Sequence, residues 1–493
     1  MIPGVLIEGV MTPQVRGLAD LAPLAPELFV VLGAFALLML DLFMDERRRI
    51  VTHVGAIGVL LVAACMLAAG IGGHGSVMHD MFVRDGIADV LKISLLAVSA
   101  VALGFAWTFM RERGLYKGEL PVLVLFAAVG MMLLVSAGNL TMVYVGLELL
   151  ALASYALVAI DRDNPLSSEA AMKYFVLGSL ASGLLLYGMS LLYGATHSLD
   201  LAAIHAAAGT LAGDDRVLML AGTVFVVAGI AFKFGAAPFH MWLPDAYHGA
   251  PTPITLFIGS APKLAAFGMT YRLLESGLAP AGDQWHLLLA GLAALSLAIG
   301  NVVAIAQTNL KRMLAYSTVS HVGFIFLGFA GGGAQGYAAA MFYAISYAIM
   351  ATAAFGAIVM LSRNGFEADR IDDFKGLNAR NPWMAGMVLC IMASLAGVPP
   401  FLGFWAKLAV LRAAIEGDML WLAIVGIVFA VVGAFYYLRV MKVMYFDEPA
   451  GEPVSVRPGR PLRIVFSINA VALLVLGFAW SPLMRWCQGA FGA

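Results

Sequence analysis

Charge is what this sequence has least of. Asp, Glu, Lys and Arg make up 12% of the 493 residues, about half the roughly 25% of an ordinary soluble domain, so a water-facing surface cannot be built. The 29 Lys and Arg against 30 Asp and Glu leave a formal net charge of -1, which gives no basic field to hold nucleic acid. Cysteine is scarce too: Cys65, Cys390 and Cys487 lie far apart, with no CxxC and no Cys/His pair at ligand spacing. That excludes a zinc, iron–sulfur or disulfide framework, and no metal redox centre is expected in this chain. No G-x-G-x-x-G follows a strand-like run, so a dinucleotide fold is not expected. Residues 1–25 lack a basic stretch followed by an apolar one, and no cleavable signal peptide is expected.

What is present is apolar surface: 62% of residues are hydrophobic and mean hydropathy is +0.91. A helix needs about 20 apolar residues to cross a bilayer core, and backbone groups in lipid must be satisfied internally, so long apolar runs mean helices. Fourteen spans are predicted, over 26–44, 51–72, 87–107, 120–137, 140–160, 165–194, 217–248, 251–273, 285–305, 310–330, 337–361, 383–414, 419–441 and 462–483. The fold class is therefore an all-α polytopic membrane protein. Seventeen Lys and Arg residues follow odd-numbered spans, among them Arg47, Arg111, Lys117, Lys311, Arg312, Lys375 and Arg457. Only Arg16, Arg84, Arg216, Arg412 and Arg485 stand before the first span or after even-numbered ones. The positive-inside rule then places both termini outside, with the loops near 363–382 and 446–463 in the cytoplasm.

Lys173, Lys233, Lys263 and Lys407 fall inside predicted spans, at about 2.5–3.5 kcal/mol each on the insertion scale. Glu148 is the sole mid-span acid. With the fifth span ending near Asp161 and the sixth starting at Asn164 and Pro165, Glu148 lies about 20 Å and Lys173 about 14 Å below one surface. An ion pair between them is expected, and a purely structural role for it is the competing reading. Burial disfavours an ammonium ion, so a lysine in lipid can load and release a proton near neutral pH. Joined by water and hydroxyls such as Tyr155, Ser179 and Ser260, the lysines would form a proton relay. His240 and His321 are candidate links. Lys92, Arg272, Arg412 and Arg439 stand near span ends, where long side chains snorkel.

Two spans are interrupted. "VFVVAGIAFKFGAAPFHMWLPDAYHGAP" holds Gly235, Pro238 and Pro244; "CIMASLAGVPPFLGFWAKLAVL" holds Gly397, Pro399, Pro400 and Gly403. Proline removes a backbone donor and clashes with the preceding turn. Paired interruptions in the two halves of a chain point to a transporter site. The interrupted spans are five apart and cross in opposite directions, which implies an inverted repeat: residues 1–119 as three leading helices, 120–273 and 274–445 as the repeats, and 446–493 as a loop and last helix.

The strings "KFGAAPFHMWLPDAYHGAPTPITLFIGSAPKLAAF", "GLELLALASYALVA", "NLKRMLAYSTVSHVGF" and "GVPPFLGFWAKL" resemble the antiporter-like, proton-pumping membrane subunits of NADH-quinone oxidoreductase (respiratory complex I) and their Mrp-type cation/proton antiporter relatives. The N type is closest, because of "PFHMWLPDAY", the lysine at Lys407 and an end soon after the last span. The resemblance implies a fourteen-helix fold in the membrane arm of a hetero-oligomer in the inner membrane. Glu148 would be its fifth-helix acid, Lys173 the sixth-helix partner, Lys233 the lysine of the first broken helix, Lys263 the central one and Lys407 the terminal one; His240 matches the first broken helix's histidine. It implies that NADH, flavin, iron–sulfur clusters and quinone are bound by partner subunits. A subunit of a multi-chain sodium/proton antiporter and a non-conducting scaffold are the rival readings.

Overall fold

The computed structural model describes residues 18–46, 48–363, 365–449 and 459–492. Arg16, Arg47 and Arg457, counted above for orientation, lie outside the described residues. The described residues are mainly helical: α1 (Ala25–Asp41), α2 (Ile50–Ala68), α3 (Gly86–Glu112), α4 (Glu119–Val135), α5 (Leu140–Val158), α6 (Pro165–Thr196), α7 (Leu201–Ala208), α8 (Gly213–Phe234), α9 (Trp242–Gly249) and α10 (Thr252–Thr270). There follow α11 (Gly282–Ala306), α12 (Leu310–Gly331), α13 (Gly333–Leu361), α14 (Leu377–Arg380), α15 (Pro382–Ala396), α16 (Leu402–Glu416), α17 (Leu420–Phe446), α18 (Arg460–Phe478) and α19 (Trp480–Ala490). Counting α8 with α9 and α15 with α16 as one interrupted crossing each, and leaving aside the short α7, α14 and α19, these give fourteen crossings, as the hydropathy predicts. A two-stranded hairpin, β1 (Gly75–Val77) and β2 (Phe82–Arg84), lies between α2 and α3.

Helix starts follow local chemistry. Asp85, Asn139, Asn164, Asn309 and Asn381 accept from the first-turn N–H groups of α3, α5, α6, α12 and α15, which satisfies donors that no preceding turn can reach. Pro165 and Pro382 follow their caps, in the first turn, where a missing N–H costs nothing.

Burial varies by helix. Every residue of α10 is buried, and nearly all of α12 and α13, so these three form the bundle's centre. α6 and α17 instead bear rows of exposed large apolar side chains, the surface lipid would meet. Because lipid is as apolar as a leucine side chain, helix pairing there relies on close backbone approach. A Cβ on Gly130 of α4 would stand 2.6 Å from Leu150 N, and one on Gly146 of α5 2.8 Å from Leu134 N. The α11–α12 pair repeats the device: a Cβ on Gly300 would stand 2.6 Å from Ser320 N. All three neighbours are backbone atoms, so none can swing aside. Gly146→Val is expected to lose about 1–3 kcal/mol, read as a lower thermal unfolding midpoint in detergent; an unchanged midpoint would show that the contact carries no weight.

Candidate functional site

The two interruptions have one construction. α8 ends at Phe234 with Gly235 in the left-handed region (φ +75°), and α15 ends at Ala396 with Gly397 likewise (φ +85°). Ala237–Pro238 and Pro399–Pro400 are cis. Pro244 corrects the expectation from sequence: it lies in the first turn of α9, where it starts the second half-helix rather than breaking the first.

A helix that stops in mid-span leaves its last carbonyls without N–H partners, and those carbonyls form the negative end of its dipole. Here lysines occupy them. Lys263 Nζ, on fully buried α10, donates to Phe234 O at 2.7 Å. Lys407 Nζ, on α16, donates to Leu395 O at 3.0 Å and Ala396 O at 2.9 Å. Each ammonium also faces an aromatic ring, Trp242 at 5.4 Å from Lys263 and Phe324 at 5.5 Å from Lys407, a favourable setting for a cation. A Cβ at residue 397 would stand 2.9 Å from Lys407 Cδ, so Gly397 supplies both the turn and the room for the lysine.

Lys233 is placed differently. It lines a narrow crevice with Leu147, Tyr155, Gly178 and Trp242, between α5, α6 and α8. Unlike the other two lysines it carries no hydrogen bond to a carbonyl among the described residues, and the acid that acts on it electrostatically is Glu148. Glu148 Oε1 is itself buried without a hydrogen-bond partner.

The expected Glu148–Lys173 ion pair is not made. Lys173 Nζ binds Asp245 Oδ2 of α9 at 3.0 Å and Glu169 Oε1 at 2.8 Å, with its side chain 45% exposed. Asp245 Oδ1 in turn accepts from Arg312 at 2.9 Å. The direction of the side chain is set by packing: Tyr174 and Gly178 face the neighbouring helices, and Lys173 falls on the exposed stripe with Met172 and Val176. Asp245 escaped the sequence reading although "WLPDAY" places an acid on a broken span.

The hydroxyl links expected from sequence divide. Tyr155 lines the Lys233 crevice. Ser260 Oγ donates to Leu256 O at 2.6 Å, committed to its own helix, and Ser179 is exposed on the outer face of α6. A different row, missed at the outset, surrounds His321. Its Nδ1 pairs with Tyr343 Oη at 2.7 Å and its Nε2 with Tyr437 Oη at 3.1 Å. Tyr437 also pairs with Ser317, and Tyr347 Oη donates to Thr318 at 2.7 Å. The signal was there: Ser317, Thr318 and His321 share an i, i+1, i+4 face on α12, and Tyr343 and Tyr347 stand i, i+4 on α13. His321 also feels Lys407 electrostatically. His240, the other candidate link, has a buried Nδ1 with no partner and a ring centroid 6.1 Å from that of Tyr316.

Two residues expected to snorkel are buried. Lys92, fully inaccessible, pairs with Glu27 at 2.6 Å under the Phe82 ring. Arg272, 5% exposed, binds Asp85 at 2.8 Å and Val135 O at 2.9 Å. Phe82 of the hairpin lies over Lys92, and Asp85, the residue after β2, takes up Arg272. Arg439 caps α11 through Ile305 O at 2.8 Å and Gln307 O at 2.6 Å. Arg412 is exposed and pairs with Glu416, as snorkelling predicts. Among the described residues no cluster of three or more His, Cys, Asp or Glu could hold a metal ion.

Residues 137–433 match the family described as NADH:quinone oxidoreductase/Mrp antiporter, transmembrane. The chain is 68% identical over 473 residues to NADH-quinone oxidoreductase subunit N of Xanthomonas euvesicatoria pv. vesicatoria, covering 96% of this chain and 97% of that one. A chain of respiratory complex I from Thermus thermophilus superposes with a TM-score of 0.79 at 31% identity, over 93% of this chain and 98% of that one. A chain of the Mrp complex from a Dietzia species shares the fold, with a TM-score of 0.80 at 21% identity over 96% and 97% of the two chains. With two broken spans carrying lysines, near-complete alignment and high identity, this chain belongs to the NADH-quinone oxidoreductase subunit N family of antiporter-like membrane proteins.

Proposed function

We propose that this chain is a proton-translocating membrane subunit of NADH-quinone oxidoreductase, and that protons cross it through Glu148, Lys233, Lys263 and Lys407, with His321 and its tyrosines between the last two. The observation that carries this reading is the seating of two span lysines on the carbonyl ends of two broken helices, Lys263 on Phe234 and Lys407 on Ala396. An ammonium there is held by contacts that a neutral amine makes more weakly, so protonation and local helix geometry are coupled. Lys173, with Asp245 and Arg312, forms the charged mouth on the side where Lys311 and Arg312 gather, and His240, beside the first break, is a further link.

This multi-pass chain of a respiratory complex is oriented, in this proposal, with both termini outside. Residues 120–273 and 274–445 form inverted repeats flanked by 1–119 and 446–493. The matching glycine contacts of α4 with α5 and of α11 with α12 support the repeat, since these are its first two helices in each half. Quinone reduction in partner subunits shifts the charge at Glu148, which changes the proton affinity of Lys233 and sends protons onward. The two aqueous ends must open in alternation, because a leak would run down a gradient of about 2.3 kcal/mol per charge per 100 mV.

The Mrp-type antiporter is the rival of the same fold. Vesicles holding the assembled complex separate them: NADH-driven quinone reduction should acidify the vesicle lumen without sodium, the chain should co-purify with flavin- and cluster-bearing subunits, and Lys233→Ala should lower the protons moved per NADH. Unchanged coupling in Lys233→Ala, or transport that requires sodium, would overturn the reading.

A further inference from the structure

A cavity outside the relay, of about 370 Å³, lies at the end of the bundle away from Lys311, between α13, α16 and α19. We propose that it seats one zwitterionic aminophospholipid of the adjoining leaflet.

Its walls grade from apolar to charged. On α16 the lining residues Trp405, Leu408, Arg412 and Glu416 recur at helical spacing, so one face of the helix forms the wall. At 1.5 Å per residue, Trp405 stands about 10 Å deeper than Arg412. The floor is an indole pair, Trp405 on Trp480, with centroids 4.8 Å apart and planes 13° apart. Trp405 Nε1 is buried without a hydrogen-bond partner, a donor left for a ligand's ester or phosphate oxygen. The rim carries Arg412 and Glu416, bonded at 2.7 Å, and the Gln488–Gln335 bond at 3.1 Å that ties α19 to α13. α19 has Trp480, Trp486 and Arg485 on one short segment, the make-up of a helix lying at a membrane interface.

This gradient matches an amphiphile. Neighbouring cation and anion at the rim complement a headgroup carrying both a phosphate and an ammonium, with Arg412 on the phosphate and Glu416 on the amine. A protein partner calls for few charges at the centre of its contact, whereas here the charges guard the mouth and the apolar floor lies within. Nor is the cavity a branch of the proton route. Lys407 is two residues from Trp405, about 200° around the helix, and its ammonium points away to Leu395 and Ala396.

The test uses the intact complex, stripped by detergent, incubated with vesicles of phosphatidylethanolamine or phosphatidylglycerol, repurified and assayed for bound lipid by mass spectrometry. The wild type should regain phosphatidylethanolamine at one more molecule per complex than Arg412→Gln/Glu416→Gln, whose retention at this site should fall about tenfold, as expected for loss of charge-assisted bonds. Leu408→Trp, which fills the cavity and leaves the charges in place, should show the same loss. A photoreactive residue at position 408 should cross-link to lipid. Equal retention in all variants, equal uptake of phosphatidylglycerol, or a cross-link to another protein chain would each overturn the proposal.

Discussion

Replacing Lys263 with methionine is expected to cut NADH-coupled proton movement through this chain more than tenfold while the complex still assembles. The side chain is 1% exposed on a helix with no lipid-facing side, and its ammonium is held by a single carbonyl, Phe234 O. Methionine has similar length and suits an apolar interior, so packing should survive. What is lost is the only span lysine on α10, and with it the carrier that the proposed route places between Lys233 and the His321 row. The residual cost is the unpartnered Phe234 carbonyl, about 1–3 kcal/mol, offset by no longer burying a cation. Proton-to-NADH ratios in sealed vesicles, with quinone reduction followed in the same sample, decide the matter. Full coupling in an assembled Lys263→Met complex would exclude Lys263 from the path and favour the scaffold reading.

The second large effect concerns stability. Lys92 and Glu27 are 0% and 2% exposed and 2.6 Å apart, joining α1 to α3 beneath Phe82. Removing one member of a buried pair leaves a charge without solvent or counter-ion, and such losses run to about 3–5 kcal/mol. Glu27→Ala should therefore lower stability by about that amount, with part recovered from Asp89, which also acts on Lys92. The double change Glu27→Leu/Lys92→Met should restore most of the loss, because replacing a whole buried pair by apolar residues of similar size is often neutral or stabilising. Thermal unfolding of the detergent-solubilised complex gives both numbers. A Glu27→Ala midpoint equal to wild type would mean that water reaches Lys92, and the single and double variants would then behave alike.

The contrast between these two lysines shows what a sequence can rank. In the sequence Lys263 stands out by its mid-span position, whereas Lys92, near the start of α3, reads as a snorkelling side chain. Both prove inaccessible. The partner that buries the charge of Lys92 is Glu27, on α1 and more than sixty residues away, so no local pattern around residue 92 announces it. The same holds for the tyrosines around His321, gathered from α13 and α17, more than twenty and more than one hundred residues away.

By itself the sequence determined the number of crossings, the two broken spans and the start of α6 at Asn164 and Pro165, since all of these are set by neighbours along the chain: apolar run length, proline and glycine, and a capping side chain. Only the tertiary structure decided which way the charges within the spans face. Lys173 turns to Asp245 instead of Glu148, Ser179 turns outward, and Lys263 and Lys407 find the carbonyls of other helices. The physical reason is that depth adds up residue by residue, whereas direction around a helix matters only relative to the helices packed against it.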